Sequence, residues 1–180
     1  MSQASAAWTP LEPQIGLTPI TVIDTGLVPP NQSTAIPTPP NQLGRVIKAF
    51  SSTLGVGEFI LLSGVASTVV GSVVTYDTGT FQTTLSAVGA NKPRAIAIAM
   101  AAVVTTANFG WYQIGGQAVA VKTSGLALAS GAAVGVLTTG KIAATASGKE
   151  VQGAITVAKA TTPKVVTLLI DRPHLQGRVT

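Results

Sequence analysis

Eight of the eleven prolines in this chain of 180 residues fall at or before Pro40, and that asymmetry constrains the fold more than any other feature. Each proline fixes its own φ, lacks an amide donor and pushes the preceding residue toward extended backbone. Neither a long helix nor a central strand can therefore run through Pro10, Pro13, Pro19, Pro29, Pro30, Pro37, Pro39 and Pro40. Residues 1–44 read as an extended arm and residues 45–180 as the folded domain. Ordering such an arm costs about 1–2 kcal/mol per residue in backbone entropy, which a lone Pro-rich strand cannot offset, so the arm is either a disordered tail or, if ordered, held by a larger surface. Its apolar residues Trp8, Leu11, Ile15, Leu17, Ile20, Val22, Ile23, Leu27 and Val28 are the candidate anchors for grooves on a neighbour. A simple solvent linker would be mostly polar. Truncation of residues 1–44 is then expected to weaken partner binding and to leave the domain folded.

The domain itself is expected to be all-β. Thr (24) and Val (21) are abundant, and β-branched side chains suit a pleated sheet better than a helix. Short β-like runs recur at 45–50, 58–62, 69–76, 80–85, 95–104, 109–114, 117–122, 134–138, 141–145, 151–157 and 164–172, with turn residues between them. No helical pattern exceeds two turns. Regular short strands with glycine turns predict a small β-sandwich or barrel. Gly115-Gly116, between two such runs, predicts a two-residue hairpin loop, because glycine accepts the positive φ values of a primed turn; Thr139-Gly140 predicts a second hairpin. In Ala95-Ile96-Ala97-Ile98-Ala99-Met100 large and small apolar residues alternate, so this strand is expected at the centre with both faces buried.

Composition removes most chemistry. With no Cys and one His, disulfides, cysteine nucleophiles and thiolate or His-rich metal sites are excluded, and no cofactor is expected. The longest uncharged run, 95–121, is long enough to span a membrane, but Asn108, Gly110, Gln113, Gly115, Gly116 and Gln117 break it, and no membrane partner is expected. Met1 to Trp8 shows no secretory signal, which points to synthesis in a cytoplasm. The arm carries Glu12 and Asp24 and no base, whereas residues 45–180 carry eleven bases against four acids, a balance of +7. Those bases are spread singly and lack interleaved aromatics, so solvated strand faces or an acidic protein partner are expected and nucleic acid is not.

Three motifs resemble catalytic signatures and fail on detail. Asp24-Thr25-Gly26 and Asp77-Thr78-Gly79 could supply the paired carboxylates of an aspartic protease, but the first lies in the arm and the second sits where a turn is needed. Gly135 to Lys141 matches a phosphate loop up to its lysine, but Ile142 stands where a Ser or Thr hydroxyl should reach a magnesium ion. Gly55-Val56-Gly57 meets Ile60 where a dinucleotide fingerprint needs a third small residue. His174, the only histidine, lacks an evident orienting carboxylate and reads as a surface or interface residue. A structural or binding protein, not an enzyme, is the expectation.

Phe109-Gly110-Trp111-Tyr112-Gln113-Ile114-Gly115-Gly116-Gln117-Ala118-Val119-Ala120-Val121, then Ser130 to Gly135, Gly153-Ala154-Ile155 and Leu168-Leu169-Ile170-Asp171-Arg172-Pro173, resemble in text and order the small capsid decoration, or cement, proteins of tailed bacteriophages. The resemblance covers roughly residues 75–180 and does not include the arm. It implies a strand pairing through a tight turn, a second hairpin, and a closing strand with a DRP-like tail. It further implies a compact β domain that binds the outside of an icosahedral shell and holds neighbouring capsomers together. The implied partner is the major capsid protein and the implied state a homo-oligomer, a trimer before a dimer. Trp111 and Tyr112, with the arm anchors, are the residues expected at the partner surface; their assignment comes from their type and place, not from the family. The rival expectation is another virion part, such as a tail or adhesion protein that binds a host receptor.

Overall fold

Alternation of side chains, period two, dominates the structure. In the computed structural model, which describes residues 7–11, 19–23, 39, 41–103, 108–161 and 164–177, eleven strands occur and all pair antiparallel. They are β1 (Thr9–Pro10), β2 (Val46–Ser51), β3 (Gly55–Ser63), β4 (Val73–Tyr76), β5 (Thr83–Leu85), β6 (Ala95–Ala99), β7 (Phe109–Val121), β8 (Ala133–Thr138), β9 (Lys141–Ala144), β10 (Glu150–Thr156) and β11 (Val165–Leu175). Their spatial order is β1-β2-β3-β7-β6-β11-β10-β8-β9, with β4 on β6 and β5 on β4. The ends of this path do not pair, so the protein is all-β but not a closed barrel. No helix among the described residues is long and apolar enough to cross a membrane.

β6 has the central place its sequence predicts. Ile96 and Ile98 enter one core cluster with residues of β7 to β11, while Ala97 and Ala99 face a second with Ile60, Leu62, Val74, Tyr112 and Ile114. A strand buried on both faces needs apolar residues at both parities, and small ones where the neighbouring layer is close. The β8–β9 hairpin also forms at Thr139-Gly140, with Gly140 at φ +69.

The hairpin expected at Gly115-Gly116 does not form. Residues 109–121 are one continuous strand, and its two halves pair with other strands instead of with each other. Along one edge Phe109 to Gly115 pairs with β3. Along the other, Tyr112 and Gln113 pair with β6, and from Gly115 to Val121 the partner is β11. A type I′ turn needs positive φ at both central residues and a type II′ turn at the first, whereas here only the second glycine, Gly116, adopts it (+86), and the strand takes up a bulge instead of reversing. A Cβ on Gly116 would lie 2.2 Å from the Val56 carbonyl oxygen, so the bend is also a close crossing of two backbones. Buried Gln113 secures it by donating from Nε2 to the carbonyls of Gly115 (3.0 Å) and Gln117 (2.8 Å). The tight turn implied by the resemblance is corrected with it.

Candidate partner-binding surfaces

The arm's described residues are seated on the chain's own domain. Thr9 and Pro10 pair with Phe50 and Ala49, and the Leu11 amide donates to the Lys48 carbonyl at 3.0 Å, so β1 extends the sheet beyond β2. Trp8 meets Phe59 edge to face at a ring separation of 4.8 Å. Ile20, only 3% exposed, completes a cluster with Ile47, Ala49, Phe59, Leu61, Phe109 and Trp111, against which Trp8 and Leu43 pack. This seat was not visible in the sequence, because the continuous apolar run Phe59 to Leu62 of β3 announces two buried faces but not what covers them.

The expected anchors therefore separate into groups. Trp8 and Ile20 contact their own chain. Leu11 and Val22 remain exposed, at 52% and 45%, and Ile23 is half-buried. Ile15, Leu17 and Leu27, with Val28, lie outside the described residues, as does Asp24.

Trp111 and Tyr112 are corrected. Each is 1% exposed, so neither is part of the exposed surface of this chain. They are neighbours on a strand buried on both faces: Trp111 floors the arm's seat, and Tyr112 points the other way among Ile60, Leu62 and Val74. Burial pushes the Tyr112 hydroxyl up to about 12, with the Thr83 side chain acting in the opposite sense.

The exposed apolar surface lies elsewhere, on the outer face of β7, β10 and β11. Ile155 and Leu169 stand directly opposite each other and are 44% and 48% exposed. Across β11, Leu169 faces Gln117, Thr167 faces Val119 and Val165 faces Val121, all uncharged. Val157 adds to the same face where its amide bonds the Thr167 carbonyl at 3.0 Å. The signal was present in the alternation of 165–170: Val166, Leu168 and Ile170 are buried, yet two of the three outward residues are aliphatic. A solvated sheet face would carry polar residues there. A second exposed pair, Phe50 opposite Val56, flanks Glu58, which is held by Lys48 at 3.5 Å and Arg172 at 3.2 Å.

The motif residues have structural duties. Asp77 Oδ1 accepts from the amides of Gly79 (2.9 Å) and Thr80 (2.8 Å) and from the Thr80 hydroxyl (3.2 Å), closing the turn between β4 and β5. Those bonds hold its carboxyl below the usual carboxylate range. Gly135 to Lys141 spans β8 and its turn into β9. His174 Nε2 lies 2.8 Å from Gln152 Oε1 across the β10–β11 ladder. No group of three or more His, Cys, Asp or Glu that could hold a metal ion occurs among the described residues. No protein-family model and no curated protein matches the chain.

Proposed function

We propose that the chain is a non-enzymatic decoration protein of a tailed-bacteriophage head, which binds the major capsid protein on the outer shell surface and secures contacts between capsomers. The observation that carries this reading is the uncharged, mainly aliphatic patch of Val119, Val121, Ile155, Val157, Val165, Thr167 and Leu169 on the outer face of β7, β10 and β11, bordered by Asp171, on a domain that is otherwise basic. Identical basic copies repel wherever like charges meet, and a face without charge is where they associate at least cost. Self-association through this face, as a trimer or a dimer, leaves the basic remainder for an acidic shell. Wide surfaces of weak contacts suit a static cementing role, in which each bound copy stabilises the assembly by mass action. The resemblance of residues 109–121 and 168–173 to cement proteins agrees with it.

Co-sedimentation of the full chain with shells stripped of it tests this reading. Saturable binding at a copy number compatible with icosahedral symmetry is the expected result. Absence of binding to intact shells overturns it in favour of a tail or adhesion component.

A further inference from the structure

A cleft with one mainly apolar and one mainly polar lobe opens beside β4 and β5, next to the segment that leads into β6. One lobe, of about 390 Å³, and an adjoining lobe, of about 590 Å³, share Tyr76, Asp77, Lys92 and Arg94. Thr84 and Leu175 line the first lobe, one offering a hydroxyl and the other an aliphatic wall. The shared wall carries two cations and a single acid. That acid is already engaged, since Asp77 Oδ1 accepts three hydrogen bonds from its own turn. Arg94 reaches only Asp77 Oδ2, at 3.9 Å, and Lys92 has no ion pair among the described residues. Arg172 stands at φ +40, next to the bulge that opens around Gly153, a backbone conformation that side chains of its kind rarely adopt.

Such a site selects anions, and its form selects among them. Exposed cations are screened by water and salt, so one free carboxylate gains little from them. A ligand that places an acidic group on Arg94 and Lys92 while its chain crosses the Tyr76 ring and the Leu175 wall gains several contacts at once. The lobes lie on either side of one shared wall and are open, which suits an extended chain better than a small enclosed molecule. We propose that this cleft docks an acidic segment of a partner polypeptide, with its carboxylates held by Arg94 and Lys92 and its backbone laid across Tyr76. That the polypeptide belongs to the shell rests on the function proposed above; the chemistry of the cleft does not.

The test is a titration of the isotope-labelled full chain, followed by backbone amide shifts, with a blocked five-residue peptide rich in Glu and Asp, with its Gln and Asn counterpart, and with free glutarate. Saturable shifts confined to Tyr76, Asp77 and Ala95 and their neighbours are expected for the acidic peptide only. Affinity should fall about tenfold or more in the Lys92→Gln/Arg94→Gln variant and stay unchanged in the Lys141→Gln/Lys159→Gln variant. Equal binding by the neutral peptide, equal affinity in the Lys92/Arg94 variant, or no shift at millimolar peptide overturns the proposal. Glutarate binding as tightly as peptide overturns the polypeptide assignment. If the Lys92/Arg94 variant sediments with shells like the unmodified chain, the cleft fails as the shell contact and the cementing role stands. If peptide binds the cleft but no shell is bound, the reverse holds.

Discussion

The two faces of the β3–β7 pair are closed in different ways. On one, Ile60, Leu62, Tyr112 and Ile114 are sealed by Val74, Ala97 and Ala99, all from strands of the domain. On the other, Phe59, Leu61 and Trp111 are sealed in part by Trp8, Ile20 and Leu43, which belong to the Pro-rich N-terminal region. The strands are the same and the parity alone differs. The difference teaches that the arm and the domain, separable by composition at residue 44, share a core. It also revises the expectation that truncation leaves the domain untouched.

Deleting residues 1–44 should break the comparison most visibly. Loss of the Trp8 and Ile20 covers removes about 3–6 kcal/mol of apolar burial, read as a lowered urea midpoint and a red-shifted Trp111 emission. An unchanged midpoint would mean the seat is incidental. Leu62→Ala should cost about 2–5 kcal/mol in both the full and the truncated chain, because its cluster does not involve the arm. Leu61→Ala should cost as much in the full chain but distinctly less after truncation, when its surroundings are already open to water. Equal costs for Leu61→Ala in the two backgrounds would show that the faces are equivalent after all.

Alkaline titration sharpens the contrast from the domain-sealed side. The folded chain favours the protonated Tyr112 hydroxyl, with its pKa raised from 10.0 to about 12. That contribution is fully present below pH 10 and is lost as the pH rises through 12, a total of about 2–3 kcal/mol. Tyr112→Phe should flatten this part of the stability profile; an equally steep profile in the variant would assign the loss to other groups. The smallest effect concerns the arm again. A double-mutant cycle with Trp8→Ala and Phe59→Leu should give a coupling of about 0.5–1.5 kcal/mol from the edge-to-face contact, and additive costs would show that the ring geometry contributes nothing.

Much of this fold was legible and some was not, for reasons that can be named. The alternation at 95–99 specified a strand buried on both faces, since apolar residues at both parities leave no side for solvent. The same signal runs through Phe109, Trp111, Tyr112 and Ile114, and reading it there would have placed both aromatics in the core. Gly115-Gly116 misled because a glycine pair is compatible with a reversal or a bulge, and what decides is whether β3 and β11 can pair more extensively with the two halves than the halves can with each other. That is a tertiary question. The arm's seat was hidden for a similar reason: Trp8 and Ile20 were recognisable as anchors, but their groove is assembled from residues distant in sequence. The cleft at Tyr76 left no local motif, because Lys92 and Arg94 reach the β4–β5 turn only through the pairing of β6 with β4.

The course of β7 has a mechanical consequence. Its first half is laddered to β3 and its second to β11, with one bent backbone running between. A force that draws the β3 end away from the β11 end acts along this strand and loads both ladders in shear. Hydrogen bonds arranged that way yield together, whereas those at the β8–β9 edge can be peeled open one after another. Tension between surfaces gripping the two ends of this one strand would thus be carried by covalent backbone through the middle of the protein.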